Sequence, residues 1–186
     1  AACTQKPTTT VGTEVASEPS TSGAETSAKS VDGAQQAPII ALMSMTIVQE
    51  DRPIARLHAD GRAEGTEPDS TGKPARFVRG PTLHSDGTIT LTKGGFTARV
   101  ERDGKIYVVS PPRQGSREFL FGRISGHQLQ LANSQESWYV RIEDDIIRFN
   151  RPGLPNRIED VVDDQMRHTA LVMVAAFFID MSITSR

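Results

Sequence analysis

Cysteine is nearly absent from this sequence, which contains a single residue of this type, Cys3. One thiol cannot form a disulfide bond within its own chain, and a structural zinc site needs several closely spaced Cys or His ligands. The four histidines, His58, His84, His127 and His168, stand far apart in the sequence. The fold therefore depends on its hydrophobic core, and we expect no metal or other cofactor.

Long apolar runs and an excess of positive charge are also missing. The longest apolar run is Ala170–Ile179, and a helix of that length spans about 15 Å, half the hydrocarbon thickness of a bilayer. We expect this run to be a buried helical segment and not a membrane span. The formal net charge is −2, which gives no electrostatic reason to expect a nucleic acid partner.

The sequence has none of the common catalytic motifs. It lacks the Gly-x-Ser-x-Gly elbow of many hydrolases, the glycine loop that cradles phosphate and the His-Glu-x-x-His metal helix. Their absence favours a protein without enzymatic activity, but the sequence leaves open an enzyme with an unfamiliar site.

Two groups of residues have both a functional and a structural interpretation. His58 and His84 share the pattern Leu-His-x-Asp-Gly, so they could meet and bind a metal or transfer protons, or they could lie at the surface beside two turns. Asp160, Asp163 and Asp164 could bind a cation, or they could complement the dipole at the start of a helix. We favour the structural interpretation of both groups.

Alternating polar and apolar residues dominate the sequence from Thr88 to Asn150. The alternation predicts strands at Thr88–Lys93, Phe96–Glu101, Lys105–Val109, Glu118–Ile124, His127–Leu131, Ser137–Glu143 and Ile146–Phe149. Turn-forming dipeptides such as Gly94-Gly95 and Asp103-Gly104 separate them. The connections are short, which favours antiparallel pairing of consecutive strands.

The pattern is looser upstream of Thr88. Ile39–Val48 is an apolar stretch for which we favour a strand over a helix. Ile54–His58 and Arg62–Glu64 flank the turn Asp60-Gly61, and Thr66–Lys73 is predicted to be a polar loop. The recurring Asp-Gly dipeptides are interpreted as hairpin turns and not as a repeat architecture.

A C-terminal helix is predicted over about residues 156–181. Asn156 would be its N-cap, with Glu159 three residues later as in a capping box. Ala170–Ile179 is apolar on every side of such a helix, so either the sheet or another chain must cover it. The predicted fold is α+β, mainly β, with residues 37–186 forming an antiparallel β-meander of about seven to ten strands. The meander curls into a half-barrel or barrel with this one helix.

Residues 1–36 differ sharply in composition from the rest of the chain. Ser, Thr and Ala make up half of them, and they contain no aromatic side chain. Such a segment cannot bury enough apolar surface to offset the entropy lost on ordering. We therefore predict that residues 1–36 form a disordered tether.

The tether begins with Ala1-Ala2-Cys3, which resembles the end of a bacterial lipoprotein signal. In that class the cysteine carries the lipid, and acyl chains bury CH₂ groups in the bilayer at about 0.8 kcal/mol each. The resemblance implies a membrane anchor at Cys3 and a location in the bacterial cell envelope. Thr4 stands where an Asp retains such proteins in the inner membrane of enteric bacteria, which implies the outer membrane. The class has no assigned function.

Three functions are compatible with this organisation. The first is a non-enzymatic binding module that recognises a protein or a glycan at the envelope. On a predicted strand, Trp138 would anchor the core while Tyr139 faced outward near Tyr107, and the two tyrosines would form a binding surface or simply pack across strands. The second is a carrier of an apolar ligand inside the curled sheet, and the third is an enzyme with an unfamiliar site.

Lipidation can be tested in a bacterial host that is supplied with a clickable fatty acid. If Cys3 is the attachment site, the full precursor incorporates the label and the variant Cys3→Ser does not, because no other thiol is present. In-gel fluorescence of the two purified proteins measures the difference. Equal labelling of both proteins, or of neither, would contradict a lipid on Cys3.

Overall fold

The computed structural model describes residues 37–68, 74–92, 94–112, 115–132, 139–150, 153, 155–159 and 162–184. Twelve antiparallel strands among them close into a barrel around one α-helix. The elements are β1 Met45–Gln49, β2 Arg52–Leu57, β3 Arg62–Pro68, β4 Pro74–Leu83, β5 Thr88–Thr90, β6 Thr97–Val100, β7 Lys105–Val109, β8 Glu118–Ser125, β9 Gln128–Leu131, β10 Tyr139–Glu143, β11 Ile146–Phe149, β12 Asn156–Ile158 and α1 Asp164–Thr184. Each strand pairs with its neighbours in sequence, and β1 pairs with β12 to complete the ring. The predicted fold class, a mainly β meander with a C-terminal helix, is confirmed, but the barrel has twelve strands where the sequence predicted about seven to ten.

Helix α1 runs along the inside of this barrel. It contacts β4 and also β8, β9 and β10, which lie nearly opposite β4 in the ring. Every residue from Thr169 to Ala176 is buried. Asp164–Ile183 is long and apolar enough to cross a membrane by length and composition alone, but its burial among strands is that of a core helix. The sheet itself therefore provides the cover that the apolar helix needs.

The core consists of the inward-facing side chains of the strands together with the helix. Inward and outward residues alternate along the strands, as in β7, where Ile106 and Val108 are buried between more exposed neighbours. Each Leu, Ile or Met side chain that is fully buried contributes about 1.5–3 kcal/mol, and Leu171, Met173 and Ile179 of α1 are all in this class. A barrel of about eight strands is filled by its own side chains, whereas this one also holds a helix.

Small residues on the wall make room for large residues on the helix. Phe177 of α1 packs against Gly65 of β3 and Gly80 of β4, and a Cβ atom on Gly80 would lie 2.6 Å from its Cε1. On another side of the helix, Phe178 meets Phe149 of β11 edge to face, with ring centroids 6.0 Å apart. These contacts fix the position of the helix along the barrel axis and its rotation about that axis.

The segment that precedes β1 covers one end of the barrel. We call the end where α1 begins the proximal end and the end where it finishes the distal end. The segment 37–44 lies at the proximal end, where the N–H groups of Ile39 and Ile40 donate to the Ser85 carbonyl. The hydroxyl of Thr169 in α1 donates to the Ala41 carbonyl at 2.9 Å. The segment therefore links the first hairpins to the helix before β1 begins.

Three proximal turns share one Asp-Gly geometry, and they are Asp60-Gly61, Asp86-Gly87 and Asp103-Gly104. Each Asp carboxylate accepts a hydrogen bond from the N–H two residues later, at 2.8–3.1 Å, and each Gly has a φ of 83–94°, which residues with a side chain rarely adopt. Each Gly carbonyl also accepts the N–H of a strand in the next hairpin at 2.8 Å. The turns thus join successive hairpins, and the hydrogen bond from Thr88 lowers the pKa of the Asp86 carboxyl.

The predicted start of the helix is wrong. Asn156 lies in β12, and its side-chain oxygen accepts a hydrogen bond from Gln49 of β1 at 3.0 Å. Residues 156–158 are needed to close the ring between β11 and β1, so the helix begins only at Asp164. Asp163 is the N-cap that local reasoning overlooked, because its carboxylate accepts the N–H of Met166 at 2.7 Å.

Two upstream predictions need smaller corrections. Of the apolar stretch Ile39–Val48, only the part from Met45 is a strand, because the residues before it cross the proximal end. The predicted loop Thr66–Lys73 starts too early, since β3 continues to Pro68 by pairing with β4. The predicted tether, residues 1–36, lies outside the described residues.

The contact between Gly80 and Phe177 can be tested by mutation. We expect Gly80→Ala to lower the free energy of unfolding by about 1–3 kcal/mol, because its methyl group overpacks the wall against the ring. In a protein that already carries Phe177→Leu, the same Gly80→Ala change should cost less, because the ring that it overpacks is gone. Urea unfolding of the two single variants and the double variant measures the difference. Gly153→Ala is the control, since no atom lies within 4 Å of its Cβ position. Additive effects of the two mutations would contradict the contact.

The half-buried His168 of α1 makes stability depend on pH. Burial lowers the pKa of His168, so the unfolded chain binds a proton at a higher pH than the folded chain does. Stability should therefore fall as the pH drops below about 6.5, the ordinary pKa of histidine. His168→Gln should lose less stability than the unmodified protein between about pH 7.5 and pH 5, the range in which histidine changes its charge. Denaturant unfolding at each pH measures the free energy of unfolding. The same substitution at the exposed His84 is the control, and an unchanged pH profile in His168→Gln would refute the assignment.

Candidate functional site

The two tyrosines predicted to form a binding surface do face outward but are not neighbours. Tyr107 stands beside the buried Val108 on β7, and Tyr139 beside the buried Val140 on β10. Strands β8 and β9 separate them, so about 14 Å of sheet lies between the two positions. The guanidinium of Arg99 lies 5.5 Å from the centre of the Tyr107 ring. Tyr107 and Tyr139 are therefore not adjacent, and a binding role for either of them stays a prediction.

The histidines and acidic residues considered in the sequence have separate partners. His58 lies 3.3 Å from the Glu64 carboxylate, and His84 lies 3.0 Å from the Thr90 hydroxyl, on a different hairpin. Asp163 caps the helix. No group of three His, Cys, Asp or Glu residues that could hold a metal occurs among the described residues. Cys3, Trp138 and Asp160 lie outside them.

A polar, wide-open cleft at the proximal end is a candidate site. It has a volume of about 680 Å³, within the range of about 300–1,000 Å³ that is usual for ligand sites. The β8–β9 turn, the β10–β11 turn and the first turns of α1 surround it. The residues that line it are Ser125, His127, Gln128, Arg141, Ile142, Glu143, Asp144 and Arg167. We refer to these eight residues as the polar cleft.

Arg167 joins the helix to both turns at the base of the polar cleft. Its Nε donates to the Asp144 carbonyl at 2.9 Å, and its Nη1 donates to the Asp164 carboxylate at 2.8 Å. The same oxygen of Asp164 lies 3.2 Å from Nε2 of His127. The Arg167 side chain is only 19% exposed, but Asp164 is 81% exposed, so the pair between them within α1 is open to water. The β10–β11 turn is joined to the helix by the Arg167 bond to the Asp144 carbonyl, and the β8–β9 turn by the contact of His127 with Asp164.

A second group of charges lies on the outer wall of the cleft. Glu143 accepts a hydrogen bond from Nε of Arg148 at 3.0 Å and forms an ion pair with Nη2 of Arg141 at 2.9 Å. These side chains are about half exposed, and such surface ion pairs contribute about 0–1 kcal/mol each. Their effect on stability is small, but together they hold the Arg141 and Glu143 side chains in defined orientations.

The lining of the polar cleft carries no net charge when His127 is neutral. Arg141 and Arg167 are balanced by Glu143 and Asp144. A lining of this kind has no general preference for cations or anions, and it has hydrogen-bond donors and acceptors in similar measure. Ile142, only 1% exposed, is an apolar residue among these polar side chains.

Three side chains of the lining are available for a ligand. In the part of the chain that the structure describes, the Ser125 hydroxyl, the Gln128 amide and the Asp144 carboxylate have no hydrogen-bond partner. Asp144 also has a φ of 56°, a left-handed conformation that Asp, like Asn and Gly, adopts more readily than other residues do. The hydrogen bond from Arg167 to the Asp144 carbonyl stabilises this backbone conformation. The backbone conformation in turn positions the Asp144 side chain at the rim of the cleft.

The residues of this site are visible in the sequence, but the sequence does not show that they lie together. In the sequence, Ser125-Gly126 and Asp144-Asp145 indicate only turns between strands, and no local pattern points to Arg167. The signal that could have been used is the alternation of turns, because every second hairpin turn of a meander falls at the same end. The position of the helix start beside two of those turns depends on the helix lying inside the barrel.

Comparison with known proteins finds no matching family model, no similar curated protein and no similar solved structure. The function must therefore be argued from the polar cleft itself.

Proposed function

We propose that this protein is a non-enzymatic binding module, held at the bacterial cell envelope by a lipid on Cys3, and that its polar cleft binds a glycan. The observation that carries the proposal is the neutral lining with three available polar side chains, Ser125, Gln128 and Asp144. Sugar hydroxyls both donate and accept hydrogen bonds, so they suit a hydroxyl, an amide and a carboxylate that lie together. A strongly charged ligand would not be attracted to this lining, because the lining has no net charge of the opposite sign.

The filled barrel favours this function over the carrier of an apolar ligand. A carrier of the predicted kind would need open space inside the curled sheet, and α1 occupies the barrel from end to end. Ala170–Ala176 are buried against the strands on all sides. An apolar ligand could enter this region only if the helix moved out, at a cost of several buried side chains worth about 1.5–3 kcal/mol each.

Glycan binding can be tested by NMR titration of the full chain with soluble peptidoglycan fragments and a panel of neutral oligosaccharides. We expect shifts at the amides of the polar cleft. Gln128→Ala should weaken binding about 3- to 10-fold, the loss of one or two neutral hydrogen bonds. Gln130→Ala is the matched control, because it removes the same type of side chain two residues away on β9, outside the lining.

Asp144→Asn provides a second variant that keeps the turn. Asn tolerates the left-handed conformation, so the fold should be retained while the available carboxylate is lost, and binding should weaken. Equal affinities of both cleft variants and the control would contradict the proposed site. Cleavage of an oligosaccharide during the titration would instead indicate an enzyme. If no glycan binds, the alternative is a protein partner.

A further inference from the structure

The barrel wall has a short seam between β4 and β5. Strand β4 spans ten residues but β5 only three, and the two pair only at Thr82 with Thr90 and at Leu83 with Ile89. Beyond Thr82, toward the distal end, the described residues provide β4 with no further strand partner on this side. Every second residue of an unpaired edge presents a free N–H and C=O to an incoming strand.

The chain that follows β5 turns toward the helix and away from β4. The N–H of Thr92 donates to the Asp180 carboxylate of α1 at 2.9 Å, and its hydroxyl donates to the same carboxylate. The N–H of Leu91 donates to the Phe96 carbonyl. These hydrogen bonds keep the loop from extending the ladder along β4, so the seam stays open.

A notch occupies the space between the two diverging segments. Its volume is about 240 Å³, and it is lined by Arg79, Gly80, Thr82, Thr90, Leu91 and Thr92. This is smaller than the roughly 300–1,000 Å³ of a typical small-molecule site. The notch therefore suits a single side chain better than a whole ligand.

Arg79 gives the notch an unbalanced positive charge. Its cross-strand neighbour Glu64 lies 3.3 Å from His58 instead, and within the described chain no acidic group pairs with the Arg79 guanidinium. Arg76 on the same strand shows the contrast, because it pairs with Glu67 at 3.3 Å. An exposed guanidinium beside threonine hydroxyls is well suited to bind a carboxylate.

We propose that the β4 seam is a docking site for an extended acidic segment of a partner protein. The backbone of that segment pairs with the free edge of β4, and one Asp or Glu side chain enters the notch and binds Arg79 and Thr82. Main-chain hydrogen bonds would supply affinity, and the notch would select the acidic side chain. This site lies on other strands than the polar cleft, so it does not depend on the glycan proposal.

The test uses the full chain, labelled for NMR, and two capped five-residue peptides. One has the sequence Thr-Val-Glu-Val-Thr, and the other has Gln in place of Glu. We expect shifts at residues 76–82 and 90–92, and an affinity for the Glu peptide about 2- to 5-fold higher, which is what one exposed ion pair provides. The same Glu peptide with N-methylated backbone amides should not bind, because it cannot pair with a strand edge.

Arg79→Gln should remove the preference for the Glu peptide. Arg117→Gln is the matched control, since Arg117 is also exposed and its guanidinium has no partner within the described residues. Both changes lie at the surface, so both variants should fold. Equal binding of the two peptides by the unmodified chain, shifts located outside the seam, or no binding at millimolar peptide would overturn the proposal.

Discussion

Enclosure of the apolar helix is the constraint on which the rest of this structure depends. A helix that is apolar on every side cannot lie on a surface, and here twelve strands surround it. The ring must be large enough to hold a helix about 10–12 Å across. Its wall must also carry small residues where the helix carries large side chains. Gly65 and Gly80 meet this requirement opposite Phe177. The meander closes because β12 reaches β1, which places the start of the helix directly after the closing strand.

The same enclosure generates the candidate site. Because α1 enters the barrel at the proximal end, its first turns come to lie beside the β8–β9 and β10–β11 turns. Arg167 can then bond to Asp144 and Asp164 together, and the polar cleft forms between them. At the distal end, the helix also limits the pairing between β4 and β5, because Asp180 binds Thr92 and holds it away from β4. Both proposed surfaces are thus consequences of where a core helix begins and ends.

The two surfaces differ in their electrostatics, and this difference separates the ligands that they suit. The polar cleft contains paired arginines and carboxylates that leave it neutral, so hydrogen bonding to hydroxyl groups would dominate there. The seam has an arginine without an acidic partner among the described residues, beside a strand edge, so an extended chain with a carboxylate suits it. A module with both surfaces could bind a glycan and a protein at once, because the two sites share no residue.

The sequence by itself determined the strands with clear alternation, the Asp-Gly turns, the apolar helix and the order of these elements. Lys105–Val109 and Ile146–Phe149 were predicted with the bounds that they have, because alternation and turn propensity are local properties. Only the tertiary structure decided that Asn156 belongs to a strand, that Tyr107 and Tyr139 lie apart, and that His127, Asp144 and Arg167 meet. The reason is that these outcomes depend on ring closure and on the placement of the helix within it. Both are set by contacts between residues far apart in the chain, and a local sequence pattern does not predict such contacts.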